Sequence, residues 1–131
     1  MKNTIFSIHG RVISKKNSKQ WIRRGNKNFL VPSDAYESFR ASALEQIIKE
    51  LKIAPKFSGK LYINITFYIK GGNHIDIDNA LTSIFDILQD KQFPVIVDDD
   101  QVVRIDCTKI LSASDWITHI QISDYTEGGE T

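Results

Sequence analysis

The side chains best suited to catalysis are acidic and fall in two clusters. Asp76 and Asp78 stand within His74-Ile75-Asp76-Ile77-Asp78-Asn79, and Asp98-Asp99-Asp100 follows about twenty residues later, ahead of Gln101 and Val102. Asp76 is expected in extended chain leaving a strand and Asp78 where a helix begins, so that both carboxylates project from one corner. Two carboxylates held close repel each other until a cation or protons intervene, and a hard divalent metal resolves the conflict. Oxygen donors suit Mg²⁺ or Mn²⁺, and Mg²⁺ takes only one or two carboxylates, filling its other positions with water and phosphate oxygens. Asp99, arriving from the loop before a later strand, is the expected third ligand. The bland reading of the same residues makes Asp78 a helix cap, Asp76 a solvated acid and the triplet an exposed turn. A calcium loop fits poorly: with Asp76 first, Leu81 falls where the bend requires Gly and Ile87 where a bidentate Glu belongs.

Charge is segregated along the chain. Residues 1–34 carry eight Lys and Arg against one acid, Asp34, whereas residues 71–106 carry eight aspartates against Lys91 and Arg104. An acidic site would repel DNA, so attraction for phosphate must come from the basic end, with Lys15, Lys16, Lys19, Arg23 and Arg24 as backbone contacts; a solvated loop is the alternative. Trp21, amid these cations, either stacks on an unpaired base or belongs to a core or dimer surface. His9, His74 and His119 share no metal-ligand spacing, although His74 lies two residues before Asp76. Asp86 is expected to face away from its helix's apolar stripe, solvated or supporting the ligands from behind, and Asp100 to face solvent.

The elements that would position these groups follow from hydrophobic periodicity. Residues 3–9 read as a first strand and 10–19 as a polar loop. Gln20–Arg23 and Asn28–Val31 read as a hairpin turning through Arg24-Gly25-Asn26-Lys27. Ser33 is placed to cap a helix whose first turn carries Asp34 and Glu37 and whose stripe is Tyr36, Phe39, Ala43, Leu44, Ile47, Ile48 and Leu51. Leu61, Ile63, Ile65, Phe67 and Ile69 alternate with polar or aromatic residues in the clearest strand. Leu81, Ile84, Phe85 and Leu88 predict a second helix capped by Asp78. Val95–Val97 is a short apolar piece, and two strands at 101–111 and 116–123 complete an α+β fold: a single domain with a mixed, mostly antiparallel sheet and two helices packed on one side. The domain is expected to span 1–125, with a disordered tail at 126–131.

Composition agrees with one ordinary domain. The 131 residues are 41% hydrophobic and 25% charged, enough for a core without disulfide or metal staples. Cys107, the single cysteine, excludes a disulfide framework and a cysteine-based zinc site, and is expected to pack in a strand. No apolar run approaches the roughly 20 residues of a membrane span, and no signal peptide is visible, so a cytoplasmic protein without membrane association is expected.

At the two acidic clusters the sequence resembles the RusA family of Holliday junction resolvases. The family's Asp-x-Asp-Asn motif is met by Asp76-Ile77-Asp78-Asn79 with its helical continuation Ile84-Phe85-Asp86-Ile87-Leu88. Its downstream Asp-Asp-x-Gln-Val is met by Asp98-Asp99-Asp100-Gln101-Val102, and its Ser-x-x-Asn or Lys-Lys-Asn stretch by Ser14-Lys15-Lys16-Asn17. Order and spacing agree over about residues 5–122. The resemblance implies a homodimeric, Mg²⁺-dependent endonuclease (Mn²⁺ a possible substitute) that resolves DNA four-way junctions by paired incisions in recombination and repair, often prophage-encoded, with no organic cofactor. It assigns the catalytic and metal ligands to Asp76, Asp78 and Asp99, and adds Asn17 to Lys15, Lys16, Lys19, Arg23 and Arg24 as DNA contacts. One departure stands out. The family commonly carries a lysine where this sequence has Thr82, so another cation such as Lys15 or Lys16 must substitute or turnover is weak. The alternatives are therefore a non-catalytic junction-binding module of the same fold, or a dimeric interaction protein whose aspartates are only caps and turns.

Overall fold

The structure, a computed structural model, describes residues 3–16, 19–72 and 74–126; Asn17 and residues 127–131 of the expected tail lie outside them. Six strands and two helices run in the order β1 (Asn3–His9), β2 (Lys19–Arg24), β3 (Lys27–Pro32), α1 (Asp34–Leu51), β4 (Leu61–Lys70), α2 (Ile77–Leu88), β5 (Val102–Ala113) and β6 (Ile117–Asp124), with a short 3-10 turn at Asp99–Gln101. This is the expected α+β class. The main sheet has strand order β1-β6-β4-β5, and β2-β3 forms a separate two-stranded ribbon.

The alternation in β4 does what its period of two requires. Leu61, Ile63, Ile65, Phe67 and Ile69 are all buried on one face, where Phe6, Ile8, Ile120 and Ile122 from neighbouring strands join them. On α1, Ser33 Oγ accepts from Tyr36 N, and Tyr36, Phe39, Ala43 and Ile47 are buried. The expected stripe is wider than the observed one, because Ile48 lies on the exposed side. Val12 and Ile13 of the segment read as a polar loop also pack into or against the core.

β4 pairs antiparallel with β6 but parallel with β5. Parallel partners need a long crossover, and here it runs from residue 71 to 101 through α2. Both acidic clusters lie on that crossover, the first where it enters α2 and the second where it leaves for β5. Because α2 returns the chain from one end of β4 to the other, the clusters mark opposite ends of a helix of 12 residues, about 18 Å long at a rise of roughly 1.5 Å per residue.

Candidate functional site

α2 starts two residues earlier than the expected cap at Asp78 implies. Asp76, not Asp78, occupies the N-cap position with extended backbone (φ −70°, ψ 144°), and its side chain makes no capping bond. Ala80 N donates to the Asp76 carbonyl at 3.0 Å, which closes the first helical turn without the carboxylate. Asp78 is therefore a first-turn residue, and both acids sit exposed at the positive end of the helix dipole, where negative charge is stabilised. Asp76 lines a cleft with Ser14, His74 and Asn79, beside Arg11, whose guanidinium lies 5.6 Å from the Trp116 ring centroid.

The second cluster is built by two glutamines. Gln101 Oε1 accepts from Val97 N and Asp98 N, both at 2.9 Å, while its Nε2 donates to the carbonyls of Phe57 (2.8 Å) and Gly59 (3.0 Å). Gln89 Oε1, just past α2, accepts from Asp99 N at 2.9 Å, and Gln89 Nε2 donates back to the Phe85 carbonyl. Asp98 spends its carboxylate on Asp100 N in a capping box. The turn is thus fastened by its backbone. Asp99 faces a cleft shared with Lys15, Thr82, Phe85 and Gln89, and its carboxylate makes no hydrogen bond among the described residues.

Asp76 and Asp99 accordingly line different clefts along α2. Among the described residues no three His, Cys, Asp or Glu side chains stand together as a ready-made metal cage. The donor chemistry nonetheless fits a hard divalent cation, since the Asp76 and Asp99 carboxylates are uncommitted and exposed and Mg²⁺ is satisfied by one or two such groups with water and phosphate.

Lys15 marks the border between acidic and basic surface. Its amide donates to Ser83 Oγ (2.9 Å), which donates in turn to the Ile13 carbonyl (2.8 Å), pinning the segment before the ribbon onto α2. Its Nζ reaches Asp86 Oδ1 at 2.8 Å. A second cleft, lined by Lys15, Lys16, Lys19, Leu30, Pro32 and Thr82, adjoins the Asp99 cleft, with Lys15 and Thr82 common to both. Thr82 itself donates its hydroxyl to the Asp78 carbonyl (2.9 Å), one turn back in the helix. Arg23 Nε donates to the Gly25 carbonyl within the ribbon, and Arg24 is exposed.

Asp86 is more than a solvated acid. It accepts from Lys15 Nζ, from the Tyr36 hydroxyl and from Arg40 Nε (2.9 Å), and Arg40 continues to Asp90 at 3.0 Å. Burial alone would raise the Asp86 pKa, but the donors from Lys15, Tyr36 and Arg40 outweigh it and hold the carboxyl below its usual range. The same contact works with burial to push the Tyr36 phenol far above its ordinary value. The only sequence signal for this network is a matched pair of i, i+4 spacings, Tyr36/Arg40 on α1 and Asp86/Asp90 on α2. His119 bonds Ser7 Oγ across the sheet, and Cys107 packs half-buried in β5, its thiol pKa raised by burial.

No helix among the described residues is long and apolar enough to cross a membrane. A comparison with curated proteins gives no match. The family described as Endodeoxyribonuclease RusA matches residues 10–123, from the end of β1 to β6, taking in both acidic clusters, the lysine-lined cleft and the ribbon; the chain belongs to the RusA endodeoxyribonuclease family.

Proposed function

We propose that this protein is a divalent-metal-dependent endonuclease that resolves DNA four-way junctions, with Asp76 and Asp78 at the head of α2 and Asp99 in its separate cleft as the ligands for Mg²⁺ or Mn²⁺ along the scissile strand. The observation that carries this reading is the shared border of the Asp99 cleft and the three-lysine cleft at Lys15 and Thr82: one surface attracts the phosphate backbone while the next offers the uncommitted Asp99 carboxylate. When bound, the metal would neutralise phosphate charge and acidify an attacking water. The chain's own part is positional. Asp76 and Asp78 project from the head of α2, Gln89 and Gln101 hold the turn bearing Asp99, and Lys15, Lys16, Lys19, Arg23 and Arg24 engage the backbone. Asn17 joins them by resemblance.

Paired incision calls for two sites related by a two-fold axis. A homodimer is supported by β5, which ends the strand order and exposes Val103, Ile105 and Leu111 on an unpaired edge, a surface that proteins usually cover or charge.

The test is cleavage of a synthetic four-way junction with Mg²⁺ by the wild type and by Asp76→Asn, Asp78→Asn and Asp99→Asn. Each variant is expected to bind the junction and to lose at least about 100-fold in cleavage rate. An Asp99→Asn variant that cuts at the wild-type rate removes Asp99 from the ligand set. A non-catalytic junction-binding module is the second reading, favoured by Thr82, whose hydroxyl is spent on its own helix and offers no positive charge; junction binding without any cleavage by the wild type would establish it.

A further inference from the structure

The β2-β3 ribbon contributes no residue to the hydrophobic core among the described residues, although it carries Trp21, Ile22, Phe29 and Leu30. It is hydrogen-bonded to neither β1 nor any other strand of the main sheet. Alternation sends Lys19, Trp21 and Arg23 to one face, and their register partners Pro32, Leu30 and Asn28 share that face. Three of the four ribbon residues that line the lysine cleft against Thr82 of α2, Lys19, Leu30 and Pro32, belong to this face, and Val31 alone to the other, so this is the face turned mainly toward the proposed cutting site. On it Trp21 is 69% exposed and Leu30, directly opposite, 51%. An exposed Trp-Leu pair is costly to leave in water. Residues 19–32 also hold four Lys and Arg and no acid, which makes the surroundings of that pair attractive to a polyanion and unfavourable to a basic or lipid-tail partner.

We propose that the ribbon reads the branch point of DNA: Trp21, supported by Leu30, stacks on a nucleobase unstacked at the strand exchange, while Lys19 and Arg23 on either side of it hold the flanking phosphates. Every base presents a π-face, so the contact selects structure and not sequence. Linear duplex offers no unstacked base, so Trp21 adds affinity for junctions only. This rests on the branched-DNA reading above but not on cleavage, because stacking needs neither the metal nor the aspartates.

The experiment is binding in EDTA, where no cutting occurs, to a four-way junction carrying 2-aminopurine at the exchange point and to a linear duplex of the same sequence. Wild type is expected to prefer the junction and to change the 2-aminopurine emission. Trp21→Ala should weaken junction binding roughly 10-fold, abolish the emission change and leave duplex affinity and the salt slope unaltered; Trp21→Phe should retain most of the effect. Lys19→Ala should instead weaken both DNAs and lower the salt slope by about 1. Equal losses on junction and duplex for Trp21→Ala, no loss at all, or no junction preference in the wild type would each overturn the proposal. So would dissociation of a dimer by Trp21→Ala in sedimentation, which would assign the pair to contact between two copies. Failure of Mg²⁺-dependent cutting alone would count against the nuclease reading and leave this one standing.

Discussion

Replacing Asp86 by Asn removes a negative charge from the point where α1, α2 and the segment before the ribbon are joined. Its three donors differ in what they lose. Lys15, with a side chain 39% exposed, returns to water, and its pair contributes about 0.5 kcal/mol or less. Arg40 keeps Asp90 at 3.0 Å and loses about 1 kcal/mol. The Tyr36 hydroxyl belongs to a fully buried residue and exchanges a charged acceptor for a neutral one, a loss of about 1.5 kcal/mol. The total is about 3 kcal/mol. With a urea m-value of about 1.5 kcal/mol/M, the unfolding midpoint should fall by about 2 M. Tyr36→Phe should lower it by about 1 M, and the double variant should fall short of the sum by about 1 kcal/mol of coupling. A midpoint within about 0.3 M of the wild type for Asp86→Asn would refute the account, since it would mean that the network holds nothing together.

The pH dependence of the same network has a definite sign. The Asp86 pKa is depressed in the folded state, so its contribution is complete above the unfolded value of about 4 and is lost as pH falls through the folded value; the stability gap between wild type and Asp86→Asn should be flat above about pH 5 and close in acid. Gln101→Ala removes four hydrogen bonds around the Asp99 turn and should cost about 2 kcal/mol in denaturant unfolding, with junction cleavage reduced more than junction binding. Thr82→Lys supplies a cation beside Asp99 and Lys15 and should speed junction cleavage about tenfold; an unchanged rate would mean that Lys15 already meets that need. Ile105→Asp on the open β5 edge should turn a dimer into monomer in sedimentation, and an unchanged mass would place the subunit contact elsewhere.

Local pattern alone was enough for much of this molecule. The strict alternation of residues 61–70 defines β4, and Ser33 with Asp34 and Glu37 defines the start of α1. The Gly25-Asn26 turn sets the ribbon, whose strands extend one residue further at each end than their apolar cores suggest. Each of these signals is carried by residues within a turn or a strand of one another, so no distant partner is needed to interpret them. The two acidic motifs and the basic N-terminal segment were legible for the same reason.

What the chain could not express locally is which distant groups meet. The start of α2 at Ile77, which leaves the Asp76 carboxylate uncommitted, depends on the chain leaving β4 and not on the apolar spacing of Leu81 and Ile84. Asp86 reads as an acid either solvated or supporting the ligands until Lys15 arrives from 71 residues away and Arg40 from 46. Gln101 looks like an ordinary polar residue until Phe57 and Gly59 are beside it. The parallel pairing of β4 with β5, which puts the two acidic motifs at opposite ends of α2, is likewise a choice among strand partners. Hydrogen bonds and ion pairs act over a few ångströms in space whatever the separation along the chain, so only the tertiary fold decides which carboxylates are spent on structure and which remain open for a ligand.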